Sequence, residues 1–455
     1  MKSNISTVSF YKSRVCILFL LFGISLSSSA QHSTDTLHNT LTVKAQLRTR
    51  GEYRHGAFRP LNKNEDPAAL ISERIRLSFE YKYKDQMQVK IVPQSVGIWG
   101  QEAMVQGAES SGNRLAFFEA WAMLKIAKGF DLKVGRQVIS LDDERFLGEV
   151  DWAQGARAHD AVALLYKKSR FELNTYLAFN QNYRNLYNNN LSNPAGNVFS
   201  TAGGFPYKHM QSIWASIPVS ESAKVTLLVN NIGLQDAQSA TDDSPINNVS
   251  TVGANYFVNK EKFSGGISAY YQFAEIKNAP KIRAYLIAAN AAFKAGNGWT
   301  LGAGSDLISG NDVGGSITVN HSFTPYFATG HKFFGSMDYF YAGNGHKGVG
   351  VSDTYLNVGK KFAKGTDIRV AFHQFITPNV VSEGSGKDYA GNLGQELDLT
   401  GSMKINTFAS VTGGYSVYFN TKTIDYLKSV TNTGQVQHWV WLSLNINPLL
   451  FNTKF

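Results

Sequence analysis

The chain of 455 residues has a single cysteine, Cys16, and it lies within the first thirty residues. Beyond that point there is no thiol for a disulfide, a thiolate metal site or a nucleophile. Proline is scarce, at 11 residues, which leaves room for long uninterrupted strands. No Gly-x-Ser-x-Gly elbow and no His-Glu-x-x-His motif occurs, so the signatures of the α/β-hydrolases and of many zinc peptidases are missing. Lys and Arg form no dense runs, which argues against a nucleic-acid partner. After residue 30, no apolar run approaches the roughly 20 residues that a membrane-spanning helix requires. If this chain crosses a membrane, it does so with strands closed into a barrel.

The first thirty residues carry Lys2, Lys12 and Arg14, then the apolar run from Val15 to Leu26, then Ser27-Ser28-Ser29-Ala30. This is the order of a secretory signal peptide, with cleavage expected after Ala30. Removing residues 1–30 takes away those three cations and no anions, so the formal charge falls from +10 to +7. Residues 31–455 show no linker and no shift of composition, and form one domain.

Strand formers are abundant: 13% of the residues are aromatic, and 41 glycines supply turns. Residues 41–54 divide by parity, with Thr42, Lys44, Gln46, Arg48, Arg50, Glu52 and Arg54 on one face. Leu41, Val43, Ala45, Leu47 and Tyr53 occupy the other face. Residues 71–83 repeat the division, with Arg74 and Arg76 opposed to Ile71, Ile75, Leu77 and Phe79. Such period-2 alternation is the mark of a strand with two unlike faces. Further strands are expected near 87–91, 116–126, 171–180, 210–219, 224–232, 251–258, 263–274, 282–293, 298–308, 333–342, 352–362, 366–375, 395–404, 409–419 and 436–447. Some links are very short, as at Lys128-Gly129, whereas 59–69, 102–113, 140–155, 182–206, 233–249 and 376–394 are long and polar.

Alternation alone fits a soluble sandwich as well as a barrel. Size favours the barrel, because one soluble core rarely grows beyond about 250–300 residues, whereas lipid can cover the apolar face of a barrel of any size. Tyr81, Tyr83, Phe130, Tyr166, Tyr339, Phe340, Tyr341, Tyr418 and Phe419 are expected to form aromatic girdles. The last strand ends on Phe455, as in chains handed to the outer-membrane assembly machinery, although Pro448 interrupts its alternation.

The stretch GRQVISLDDERFLGEVDWAQGARAHDAVAL, Gly135 to Leu164, resembles a signature of the alginate export family of outer-membrane porins. Gly304 to Asp312, Phe323 to Asn344, and Gly394 to Ile405 followed by Gly413 to Phe419 are similar to further stretches of that family. His159 departs from the aromatic residue expected at its position. The resemblance implies a monomeric transmembrane antiparallel β-barrel of about 18 strands, with short periplasmic turns and long extracellular loops. It also implies a pore lined by arginines and some carboxylates that passes an anionic uronate polysaccharide, with no cofactor and no metal. The expected location is the bacterial outer membrane, with lipid around the barrel.

Chemistry supports the same lining. Guanidinium groups remain charged and offer paired donors to carboxylates, and rings of Arg and Lys select anions in pores. Arg48, Arg50, Arg54, Arg74, Arg76 and Lys90 are candidates for a cationic wall, extended by Lys44. Arg136, Arg145 and Arg157 with Asp143, Glu144, Asp151 and Asp160 are candidates for a mixed-charge constriction. Three alternatives stay open: a general or anion-preferring porin for small solutes, a calcium loop at Asp142-Asp143-Glu144, and a secreted β-rich carbohydrate-active enzyme or binding protein. No catalytic residue is singled out, and His159 and His331 are read as structural.

Overall fold

The computed structural model describes residues 38–56, 58–101, 115–180, 207–235, 246–276, 279–340, 345–383, 386–434 and 436–455. The expected leader, the whole of the 102–113 and 182–206 loops, and Tyr341 lie outside the described residues. Eighteen antiparallel strands form one sheet: β1 (Thr40–Arg54), β2 (Ala68–Tyr83), β3 (Met87–Ile98), β4 (Leu115–Ala127), β5 (Phe130–Gln137), β6 (His159–Lys168), β7 (Phe171–Phe179), β8 (His209–Ser220) and β9 (Ala223–Gln235). Then come β10 (Ile246–Asn259), β11 (Phe263–Ala274), β12 (Lys281–Gly296), β13 (Trp299–Ile308), β14 (Val351–Lys361), β15 (Thr366–Ile376), β16 (Asn392–Lys404), β17 (Ala409–Asn420) and β18, which runs Val436–Ile446 and resumes at Leu449–Lys454. Each strand pairs with the next, and β18 pairs back onto β1, so the sheet closes and has no edge. Pro448 marks the break in β18: its carbonyl accepts from the Ala45 amide, and the register against β1 shifts there.

The alternation sets which face looks where. In the β1–β2 ladder Leu47 stands opposite Ile75, and Arg48 opposite Arg74. Ile75, Phe79, Leu356 and Leu442 are 44%, 40%, 62% and 62% exposed on the outside, whereas Arg74 and Asp306 are fully buried within. An apolar band around the whole circumference far exceeds the few hundred Å² that a soluble surface carries. The soluble-sandwich reading, with its greasy face turned inward, is excluded by this polarity, and the fold is a transmembrane barrel.

The two ends differ. At one end, eight links of two to four residues join the strands. Asn297 and Gly298 form one of them, with φ of 48° and 80°, the left-handed pair that a tight hairpin demands. At the other end lie the long connections, and among the described residues two extended ones turn inward. The first spans 138–158 and the second 309–350.

The segment expected at 333–342 is not a strand over its described part, 333–340. It belongs to the second inward loop, where Phe334, Gly335 and Asp338 take positive φ values of 62°, 78° and 61° that no strand tolerates. Tyr339, Phe340 and Tyr418 are likewise absent from the girdles. All three are buried inside, at 0%, 3% and 0% exposure, and Tyr418 donates its hydroxyl to the Leu393 carbonyl at 2.6 Å. Tyr83, Phe130 and Phe419 do face outward. The barrel also contains an apolar core of its own. Phe146, Leu147, Phe323, Phe327 and Met337 of the two loops pack against Tyr270, Leu286 and Phe375 of the wall.

Adjacent positions on β14 test the polarity. Leu356 points outward and Asn357 inward. Leu356→Arg is expected to cost about 2–4 kcal/mol of barrel stability and Asn357→Arg no more than about 1 kcal/mol. Denaturant titration of the barrel folded into vesicles measures the difference, and equal costs would contradict the assignment.

Candidate functional site

The constriction is built where the first inward loop meets the wall of β1 and β2. Arg48 donates through Nη1 to the Asp151 carbonyl at 2.6 Å, through Nη2 to the Ala153 carbonyl at 3.0 Å, and through Nε to Gln154 at 2.8 Å. Arg50 donates to the Trp152 carbonyl at 2.8 Å, and its guanidinium lies 4.0 Å from the centre of the Trp152 ring. Arg74 donates to the Asp151 carboxylate at 2.8 Å, which also lies 3.3 Å from Arg48 and 3.5 Å from Arg76. Arg76 donates to Gln94 at 2.9 Å and stacks on Phe118 at 3.6 Å. Lys90 is paired with Glu119.

The arginine wall therefore does not stand bare in the lumen. Its donors hold a turn of the chain's own backbone, taking the carbonyls of residues 151–154, which a buried turn must pair. Arg48, Arg50, Arg74 and Arg76 are all less than 9% exposed, while the Asp151 side chain is half exposed. Three guanidinium groups thus share one carboxylate. Arg54 acts on the second loop, donating to the Met337 carbonyl between the rings of Phe58 and Trp439.

The arc of wall from β13 to β16 has the reverse sign. Asp306 on β13 stands across from Asp353 on β14, and β16 supplies Glu396 and Asp398. Glu396 accepts from the Met337 amide at 2.8 Å and Asp398 from the Ser336 amide at 3.3 Å. His373 on β15 bridges Asp353 at 2.9 Å and Asp398 at 3.7 Å. Here carboxylates hold backbone N–H groups of the second loop, as arginines on β1 and β2 hold carbonyls of the first.

The two loops also join each other. The Gly148 amide donates to the Phe327 carbonyl at 2.8 Å and the Thr329 amide to the Glu144 carbonyl at 3.0 Å. Glu144 pairs with Lys332 at 2.9 Å, and Arg157 donates to the Ala328 carbonyl at 3.1 Å. Arg145 pairs with Asp143 and with Asp306, each at 2.7 Å. Burial alone would lower the pKa of Arg145, but Asp306 and Asp143 together raise it above the usual arginine range. Burial and the neighbouring Asp151 push Glu149 above the usual carboxylate range.

Arg136 and Asp160 do not join the constriction. They form a two-point ion pair at 2.9 and 2.8 Å on the outward face of β5 and β6. The reason is parity: Gln137 and His159, their neighbours, occupy the inward positions and are buried. His159 contacts Tyr207 at 2.8 Å, and its ring meets Phe327 edge-on. The calcium reading also meets different geometry. Asp142 accepts from Trp214 and Asn255, Asp143 binds Arg145, and Glu144 binds Ser140 and Lys332, so the three carboxylates point to different partners. Among the described residues no group of His, Cys, Asp and Glu could hold a metal ion.

Among the cavities beside the loops are two of several hundred Å³. One, of about 470 Å³, is bordered by Asp143, Arg145, Lys332, Arg369, His373 and Asp398. The other, of about 390 Å³, continues toward the short-turn end past Thr300, Gly302, Asn357 and Lys361. Asn290, Tyr355 and Arg369 border both, so the open space follows the wall of β12 to β16. Trp152, Asp306, Asp353 and Asp398 were not singled out from the sequence. The three aspartates all occupy inward parity positions, a signal that was there to read.

A family model described as alginate export matches residues 39–180, which carry β1 to β7 and the first inward loop. The other stretches likened to that family lie beyond the match. No curated protein matches the chain. Among solved structures, OccAB4 of Acinetobacter baumannii is similar with a TM-score of 0.60 at 12% identity, over 91% of this chain and 98% of that one. OpdO of Pseudomonas aeruginosa gives 0.59 at 12%, over 90% and 98%, and OccK11 (OpdR) of the same organism gives 0.56 at 11%, over 91% and 96%. At such identities the likeness is one of fold.

Asp151→Asn removes the one carboxylate that the three arginines share and keeps the backbone contacts. The expected outcome is a stronger anion preference, seen as a shift of reversal potential toward the anion limit under a salt gradient. An unchanged potential would mean that this cluster does not face the conducting path.

Proposed function

We propose that the chain is a monomeric outer-membrane channel that passes an anionic, uronate-like polysaccharide or oligosaccharide passively through its lumen. Barrel closure and the outward apolar band support the membrane location, and the family match over residues 39–180 supports the substrate class. The observation that carries the reading is the state of the arginines. Arg74 is fully buried, yet its Nε and Nη2 and the Nη2 of Arg76 have no hydrogen-bond partner among the described residues. Buried donors left unpaired are costly, and an anion that completes them recovers that cost. Asp151 is the built-in competitor, so a sugar carboxylate would bind by taking its place or sitting beside it.

Passage needs release as well as attraction, since a wall of one sign would retain a polyanion. The acidic wall of Asp306, Asp353 and Asp398 supplies the opposing field. No catalytic group is required for this role, and no cofactor. The chain reaches its place through the outer-membrane assembly machinery, with the β18 segment ending at Phe455 as the recognised strand.

One observation favours the second reading, a general or anion-preferring porin for small solutes. The described cavities, about 390 and 470 Å³, lie in the range of small-molecule sites, about 300–1,000 Å³. The outward polarity of the apolar face speaks against a secreted enzyme.

Planar-bilayer recordings separate these cases. Uronate oligomers are expected to interrupt the current, with block that lengthens as the oligomer grows, and Arg369→Glu is expected to weaken it about tenfold, the effect of about 1.4 kcal/mol. Block by the monomer but not by longer oligomers would favour the small-solute porin. A cation-preferring current indifferent to uronates would overturn both readings.

A further inference from the structure

Positive charge is concentrated at the short-turn end. Within the eight short links and three residues to either side of each, there are fourteen lysines and one arginine against six carboxylates. The surplus of nine exceeds the formal charge of +7 carried by residues 31–455, so the rest of those residues is slightly acidic. All but Lys224 and Lys360 of these basic side chains are exposed.

The choice of residue differs from that in the lumen. Inside, guanidinium forks hold fixed carbonyls and carboxylates; at the rim, lysines stand on flexible stems. Arginine suits planar paired recognition, whereas an ammonium is a mobile, strongly hydrated point charge. Beside the lysines lies a row of outward aromatics: Tyr83, Phe130, Phe263, Trp299 and Phe362 are 38%, 37%, 43%, 46% and 49% exposed. Lys360 reaches to 4.8 Å from the Trp299 ring, and Lys84 to 5.6 Å from that of Tyr83. Aromatic belts mark the boundary between hydrocarbon and headgroups, and lysines next to them raise their ammonium groups to headgroup level.

We infer that this end of the barrel carries a lysine collar that binds the headgroups of anionic phospholipids in the leaflet around it. Charge complementarity and depth carry the assignment. Basic residues at a membrane surface attract anionic lipid with an energy that adds up over many lysines. Here Lys84, Lys128, Lys168, Lys260, Lys262 and Lys364 stand in the turns or on the outward face at five of the eight links, whereas lysines at inward positions, such as Lys294, Lys361 and Lys404, border the mouth of the lumen. The collar anchors the barrel vertically and gathers acidic lipid around its mouth.

Trp299 is a reporter placed within the collar. The full chain, carrying Trp99→Phe to remove the exposed tryptophan at the other end, is folded into phosphatidylcholine vesicles. A minority of brominated phosphatidylglycerol or of brominated phosphatidylcholine is included, and the quenching of tryptophan fluorescence is compared. The brominated acidic lipid is expected to associate about fivefold more strongly. That preference should fall to near unity at about 1 M salt, where charges are screened within about 3 Å. It should also fall in the variant Lys128→Gln, Lys260→Gln, Lys262→Gln and Lys364→Gln, with heat-modifiable gel migration confirming a folded barrel. Equal quenching by the two lipids, or a preference indifferent to salt, overturns the inference even if the variant does not fold. A variant that alters only the rectification of current in phosphatidylcholine bilayers, with no lipid preference to lose, also overturns it and assigns the collar to soluble anions.

Discussion

Two loops lie inside this barrel because its inner wall is divided by sign. Guanidinium groups on β1 and β2 take backbone carbonyls of residues 151–154, and carboxylates on β16 take backbone amides of Ser336 and Met337. A loop in a lumen carries polar groups that must find partners. Each wall supplies one half of that requirement, and the loops supply the rest to each other through Gly148, Phe327, Glu144 and Thr329. The apolar cluster of Phe146, Leu147, Phe323 and Phe327 then excludes water between them.

This division ties architecture to permeation. An arginine that holds a loop is not thereby lost to solutes, since one shared carboxylate leaves the Arg48, Arg74 and Arg76 cluster net positive. Buried charge of this kind is expensive unless nearly every donor is met, and removing a partner costs more than the pair contributes. The unpaired nitrogens of Arg74 and Arg76 are therefore one place, among the described residues, where the structure departs from full satisfaction. The same logic explains Trp152. Its ring is packed against Arg50 and stacked on His331 at 4.0 Å, which fixes the turn whose carbonyls the arginines hold.

The sequence made the barrel readable because a strand with lipid on one side and water on the other must alternate over its whole length. Leu47, Ile75 and Phe79 against Arg48, Arg74 and Arg76 suffice to orient β1 and β2. The inward loops were less readable. The loop at 138–158 revealed itself through its charges, but 333–342 has the apolar and aromatic content of a strand because it forms an interior core. Tyr339 and Phe340 were misplaced for that reason, and Tyr418 because an aromatic at a strand end looks alike on either face. Arg136 and Asp160 were misassigned by a count of charge that ignored parity, as their neighbours Gln137 and His159 occupy the lumen side. The acidic wall is spread over β13, β14 and β16, and no local window brings Asp306, Asp353 and Asp398 together.

The clamp between divided walls and paired loops is tested most directly by backbone hydrogen exchange of the folded barrel. The amides of Gly148, Val150 and Met337 should be protected as long as those at mid-strand, for example Leu77 and Leu356. Exchange of those three at the rate of an open surface loop, with the strands still protected, would contradict it.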